Sequence, residues 1–173
     1  GYTGPRGPAQ GYVESGIILN GRADTAVGGG ISQFATTLYN ASYFAGMTDV
    51  AHMPHSYYIS RYPAGREATV YEGAIDLQFR NDSPYPVRIA TSVGGGEVTV
   101  SLMGVKTVTV ESVNGGRWAQ TQPQPVNVSG SSCVPSSGAP GFTTSDTRII
   151  YDLAGNELNR ETQTTVYDPQ PIV

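Results

Sequence analysis

Three consecutive glycines, Gly28, Gly29 and Gly30, run directly into the one long stretch of this chain whose apolar residues recur at helical spacing. Ile31, Phe34, Ala35, Leu38, Tyr39 and Ala45 make a single apolar stripe over about four turns. Gly46 stands where a C-terminal glycine ends a helix. A glycine-rich turn opening a helix leaves unpaired backbone N–H groups facing whatever lies ahead of them. That end is also electropositive, so it lowers the pKa of a thiol or stabilises a developing oxyanion. Ser32 occupies the first turn, where a nucleophile would stand. Serine at that place is also a common helix cap.

The rest of the chain reads as strands for this helix to cover. Residues 12–19 form a strand closed by the turn signal Asn20-Gly21. Residues 50–62 are irregular or partly extended. Residues 68–70, 75–80, 86–92 and 98–103 read as successive strands, joined by Asn81–Pro84 and by Gly94–Gly96. Composition changes near Gly104. A further strand is expected over 105–113, then a long polar stretch over 120–145, rich in Pro, Ser, Gly and Gln. Residues 148–151 and 158–167 flank a Gly155-Asn156 turn and read as a hairpin, which is marginal unless it packs on something. The expected class is α+β: a mostly antiparallel sheet or half-barrel with one principal helix over about 31–45 and a C-terminal β-ribbon. The expected organisation is a first domain over 1–104 and a ribbon extension over 105–173.

At 173 residues the chain can bury a real core. Only 14% of residues are charged and the net charge is −4, with no basic patch, which excludes the usual nucleic-acid binders. No run of about 18 apolar residues suggests a membrane span. The sequence opens on Gly1 without a signal peptide and reads as the interior of a longer protein. Cys133 is the single cysteine, either a lone thiol or half of a disulfide with a partner past Val173.

Two more segments carry chemistry. His55-Ser56-Tyr57 is followed by Tyr62-Pro63-Ala64-Gly65-Arg66-Glu67-Ala68-Thr69. Arg66 offers a flat fork suited to a carboxylate, or else a structural ion pair with Glu67 or Asp76. Asp76 could orient His55 as the third member of a triad. Strand alternation equally makes it a solvated acid. Tyr57, Tyr58 and Tyr62 either wall a groove or simply pack. His52 and His55 have H-x-x-H spacing, but no cluster of acids or cysteines accompanies them, so His52 is assigned to the surface and no metal is expected.

The strings GGGISQFATTLYNASYFAG, HSYYISRYPAGREATV and AIDLQFRNDSPYPVRI resemble, in order, spacing and residue type, the VanW family of bacterial cell-envelope proteins. The resemblance covers roughly the first hundred residues. Some members of that family are L,D-transpeptidases that cross-link peptidoglycan through a cysteine thioester. The resemblance therefore implies acyl transfer on stem peptides, an extracytoplasmic address, an N-terminal anchor upstream and no cofactor. In the family pattern the nucleophilic cysteine falls on Ser32. A thiolate forms readily at a helix N-terminus, whereas a hydroxyl needs a general base as it attacks. Serine here is either an engineered replacement, a natural variant with a strong base, or the mark of a branch without catalysis. The implied roles are Ser32 as nucleophile, His55 as base, Asp76 as its orienter and Arg66, Tyr57 and Tyr62 as substrate contacts. Backbone groups of Gly28, Gly29, Gly30 and Gln33, with the N–H of Ser32, would hold the oxyanion. The rival expectations are a binding module that keeps the groove without the chemistry, and a structural spacer. Oligomeric state is not legible.

Overall fold

A computed structural model of the chain describes residues 4–19, 22–127 and 134–173. The Asn20-Gly21 turn and Cys133 lie outside these. Within them the class is α+β, with a single α-helix and mostly antiparallel strands. The strands do not form one sheet or a half-barrel. They are distributed over three two-stranded sheets and one three-stranded sheet, all open.

The first ladder pairs β1 (Glu14–Leu19) with β2 (Arg22–Val27). Strand β2 was not expected, because Arg22, Asp24 and Thr25 dilute its apolar alternation. Helix α1 (Ile31–Phe44) follows. It ends in a Schellman motif: Met47 N–H donates to the Ser42 carbonyl and Gly46 N–H to that of Tyr43. Gly46 takes φ +75, and a Cβ there would meet Val108 Cγ2 at 2.4 Å, so glycine is required twice over.

Short strands β3 (Thr48–Ala51) and β4 (Gln78–Arg80) pair next, then β5 (Arg88–Gly94) with β6 (Glu97–Met103). The expected strand over 68–70 does not form. Its backbone is taken by other partners: Ala68 N–H and carbonyl both bond Thr36 Oγ1, and Thr69 N–H donates to the Met53 carbonyl. The expected strand over 75–80 shrinks to its last three residues.

The C-terminal ribbon is larger than the sequence suggested. Strands β7 (Val108–Thr121), β8 (Gly141–Asp152) and β9 (Glu157–Tyr167) make one sheet in the order β7-β8-β9. Both β7 and β8 extend into the stretch read as polar loop. The buried face of β8 is Phe142, Thr144, Asp146 and Arg148, three of them polar, so no apolar alternation announced it.

The ribbon packs against α1 and the segment that follows it. The apolar centre is small: Ala35, Tyr39, Tyr43 and Ala68, flanked by Val70, Leu77 and Val110. Polar groups tie the ribbon on. Tyr43 Oη donates to Asp146 Oδ2 at 2.5 Å and Ser112 Oγ to Asp146 Oδ1 at 2.5 Å. Arg148 donates to the Tyr43 and Met47 carbonyls at 2.7 and 2.9 Å, placing a cation on the negative end of α1. Among the described residues no helix is long and apolar enough to cross a membrane.

Candidate functional site

The glycine turn is tightly built. Gly28 and Gly30 adopt φ +78 and +76, and a Cβ on Gly29 would lie 2.2 Å from the Ser15 carbonyl oxygen. Its amides, however, are already occupied. Gly28 N–H donates to Val13, Gly29 to Ala26, Gly30 to Gly16, and Gln33 N–H to Gly30, all on backbone oxygens at 3.0–3.1 Å. The four groups expected to hold an oxyanion therefore hold the turn together. Ile31 and Ser32 are the first-turn amides for which no such turn or cap bond occurs among the described residues.

Ser32 is half-buried in that first turn. Thr36 stands four residues on, one turn along the same helix face. Its Oγ1 bonds both backbone groups of Ala68, which fixes the helix against residues 66–68. Along this segment side chains alternate. Arg66 and Ala68 meet α1, whereas Glu67 turns the other way, towards β9.

On that other side lies a buried polar constellation. Glu67 is only 1% exposed. Its Oε2 is 2.5 Å from His55 Nδ1 and its Oε1 accepts from Tyr167 Oη at 2.5 Å. Tyr167 Oη in turn accepts the Gly65 N–H at 2.9 Å. The Tyr62 ring stacks on the His55 imidazole, with centroids 5.5 Å apart. Burial and the nearby Glu67 carboxylate raise the Tyr62 phenol above its ordinary pKa, against the opposing pull of Arg61, so it stays a neutral wall. A carboxylate oxygen accepts, so this contact engages Nδ1 of the imidazole and leaves Nε2 as the nitrogen without a protein partner among the described residues.

The acid that meets His55 is thus Glu67 and not Asp76. Asp76 is exposed, at the edge of a groove of about 280 Å³ that it shares with Arg6, Tyr71 and Glu72. This groove adjoins the glycine turn through Arg6, whose carbonyl oxygen lies 3.0 Å from where a Cβ on Gly28 would be. The signal for Glu67 was present in the sequence, inside the string PAGREATV. There Glu67 figures only as a candidate ion-pair partner for its neighbour Arg66.

Arg66 is not placed to clamp a ligand. Its Nε donates to Asn40 Oδ1 at 2.7 Å, Nη1 to Ser112 Oγ, and Asp146 lies 3.7 Å away. The guanidinium also covers the rings of Tyr43 and Phe44 at 5.5 and 5.0 Å. The ion pair is with Asp146, a residue far along the chain, and with neither of the acids the sequence offered. Tyr57 is half-buried, and its backbone forms a parallel bridge with Asp168.

His52 is not a surface residue. It stacks on Tyr39 at 4.3 Å and pairs with Asp49 Oδ2 at 2.7 Å, its side chain 12% exposed. Burial works to raise the Asp49 carboxyl, but the His52 bond and charge outweigh it and hold it below the usual carboxylate range. The two histidines engage different acids, and no group of three or more candidate metal ligands exists among the described residues. Nor does any hydrogen bond join Ser32 to either histidine among those residues.

Two of the comparisons with known proteins find a match. The protein "Uncharacterized protein YoaR" of Bacillus subtilis (strain 168) is 36% identical over 100 residues, covering 58% of this chain and 33% of that protein. The chain thus spans about a third of the length of that relative. No solved structure matches. The profile described as "VanW like protein" matches residues 1–103, a span that carries the glycine turn, α1, His55 and Glu67, and on that match the chain belongs to the VanW family.

Proposed function

We propose that this chain is an extracytoplasmic cell-wall protein whose site is built for acyl transfer on peptidoglycan stem peptides. The observation that carries the reading is the His55–Glu67 pair, a buried carboxylate 2.5 Å from Nδ1 of the imidazole, an arrangement in which the neutral ring would accept a proton at Nε2. The nucleophile at position 32 would attack the amide carbon of a donor peptide and expel its terminal D-amino acid as the amine. An acceptor amine would then displace the enzyme oxygen or sulfur and form the cross-link. His55 takes the proton from the nucleophile and returns it to the leaving amine. The Ile31 and Ser32 amides hold the oxyanion. The groove beside Gly28, lined by Arg6, Glu72 and Asp76, suits a peptide bearing both carboxylate and ammonium groups. No step requires a cofactor.

A second reading is favoured by two observations: position 32 is serine, and among the described residues no hydrogen bond links it to His55. On that reading the domain binds wall peptide without cleaving it. One experiment separates the two. The protein and its Ser32→Cys variant are incubated with muropeptides, and loss of the mass of terminal D-alanine is followed. Release by either form supports acyl transfer. Binding without release in both establishes the binding module.

A further inference from the structure

We propose that Tyr167, on the last strand of the ribbon, is a positioning residue that holds Glu67 against His55, making the ribbon a working part of the site. This rests on the reading of His55 as the base. Tyr167 lies far outside the matched residues 1–103, so nothing in the family match assigns it a role.

Its geometry is that of a two-sided brace. The hydroxyl donates to Glu67 Oε1 at 2.5 Å and accepts from the Gly65 N–H at 2.9 Å. Both sides of the phenol are thereby used, and its position along the 65–67 segment is fixed. The ring is 1% exposed and wedged between Tyr58 and Phe142, at centroid distances of 5.5 and 5.1 Å. A phenol so packed cannot swing away. Glu67 without it would keep only the contact with His55, and its grip on the imidazole would loosen.

The arrangement is repeated once. Gln163, four residues before Tyr167 and on the same face of β9, donates to Asp49 Oδ2 at 3.1 Å. Asp49 is the acid that holds His52. Strand β9 therefore delivers one donor to the carboxylate of each histidine–acid pair. A ribbon that merely leaned on the domain would have no reason to reach both.

The test is the tautomer of His55, read by nitrogen-15 NMR in the full chain. The native protein should show the proton on Nδ1. Tyr167→Phe keeps the ring and removes the hydroxyl. The Nδ1-bound proton signal should then weaken, with a population protonated on Nε2 appearing. An unchanged spectrum overturns the proposal, and so does an equal change in Phe142→Leu, which disturbs the same packing without touching the hydroxyl. Should Tyr167→Phe fail to fold, the intact protein still decides: a magnetisation-transfer contact between the Tyr167 hydroxyl proton and the Gly65 N–H is expected, and its absence overturns the brace. In a Ser32→Cys background that releases D-alanine, Tyr167→Phe should lower kcat about tenfold and leave KM unchanged. An unaltered kcat there also overturns it. If neither background releases D-alanine while the tautomer shifts as expected, the brace stands and acyl transfer falls.

Discussion

Glu67 Oε2 meets His55 Nδ1 at 2.5 Å, at a carboxylate almost wholly withdrawn from water. Such an acid dictates which imidazole nitrogen carries the proton. Glu67→Gln keeps an oxygen for Tyr167 but turns an amide N–H towards Nδ1, which forces the proton to Nε2. In a Ser32→Cys protein that releases D-alanine, we expect this change to lower the rate about 10³-fold or more. Stability should fall by about 1 kcal/mol, the difference between hydrogen bonds to a charged group and neutral ones. Urea denaturation and muropeptide turnover measure the two. A rate within threefold of the parent removes Glu67 from the mechanism.

Asp76→Asn should behave oppositely. The residue is exposed and lines the groove. Stability should stay within about 0.5 kcal/mol. Any kinetic effect should fall on KM rather than kcat. A collapse of kcat would return Asp76 to the orienting role.

Arg66→Lys tests a structural assignment. A lysine cannot divide one planar fork among Asn40, Ser112 and Asp146 while covering two rings. The midpoint of thermal unfolding should fall, by an amount equal to about 1–2 kcal/mol. Affinity for wall peptide should not change. A loss of affinity at unchanged stability would restore the ligand clamp.

Gly29→Ala places a methyl 2.2 Å from the Ser15 carbonyl oxygen, so β1 must give way to the turn that opens α1. Overpacking of this kind costs about 1–3 kcal/mol. Hydrogen exchange at Gly28, Gly29 and Gly30 should speed up, because these amides bond the neighbouring backbone. Unchanged protection would mean that the turn does not depend on the close approach.

Alkaline pH should unfold the protein through its tyrosines. Burial comes first in raising the phenols of Tyr39, Tyr43 and Tyr167 well above their ordinary pKa, reinforced respectively by Asp49, by the Asp146 hydrogen bond and by the Glu67 hydrogen bond. A folded pKa above the unfolded value of about 10 means stability is intact below pH 10. It is then lost as pH climbs towards the folded values. The slope is at most about 1.4 kcal/mol per pH unit for each tyrosine. Denaturation curves between pH 9 and 11.5, with tyrosinate absorbance, would show it. Tyr43→Phe should flatten the fall.

The sequence by itself determined the parts that depend on local pattern. The glycine turn, the helix from Ile31 and its stop at Gly46 were legible, because 3.6-residue spacing and turn chemistry are written within a few residues. So were β5, β6 and the hairpin about Gly155-Asn156, which alternate or turn on local signals. The family strings around Ser32 and His55 were legible for the same reason. Only tertiary structure decided that Glu67 faces His55 while its neighbour Arg66 faces Asp146. The choice turns on which face of residues 65–68 meets α1 and which meets β9, elements brought together from distant parts of the chain. It likewise decided that the polar residues of β8 are buried, since Asp146 and Arg148 are matched by Tyr43, Ser112 and helix-end carbonyls from elsewhere. Pairing between distant polar groups leaves no periodic trace in a sequence, because what makes each group burial-competent is its partner and not its neighbours.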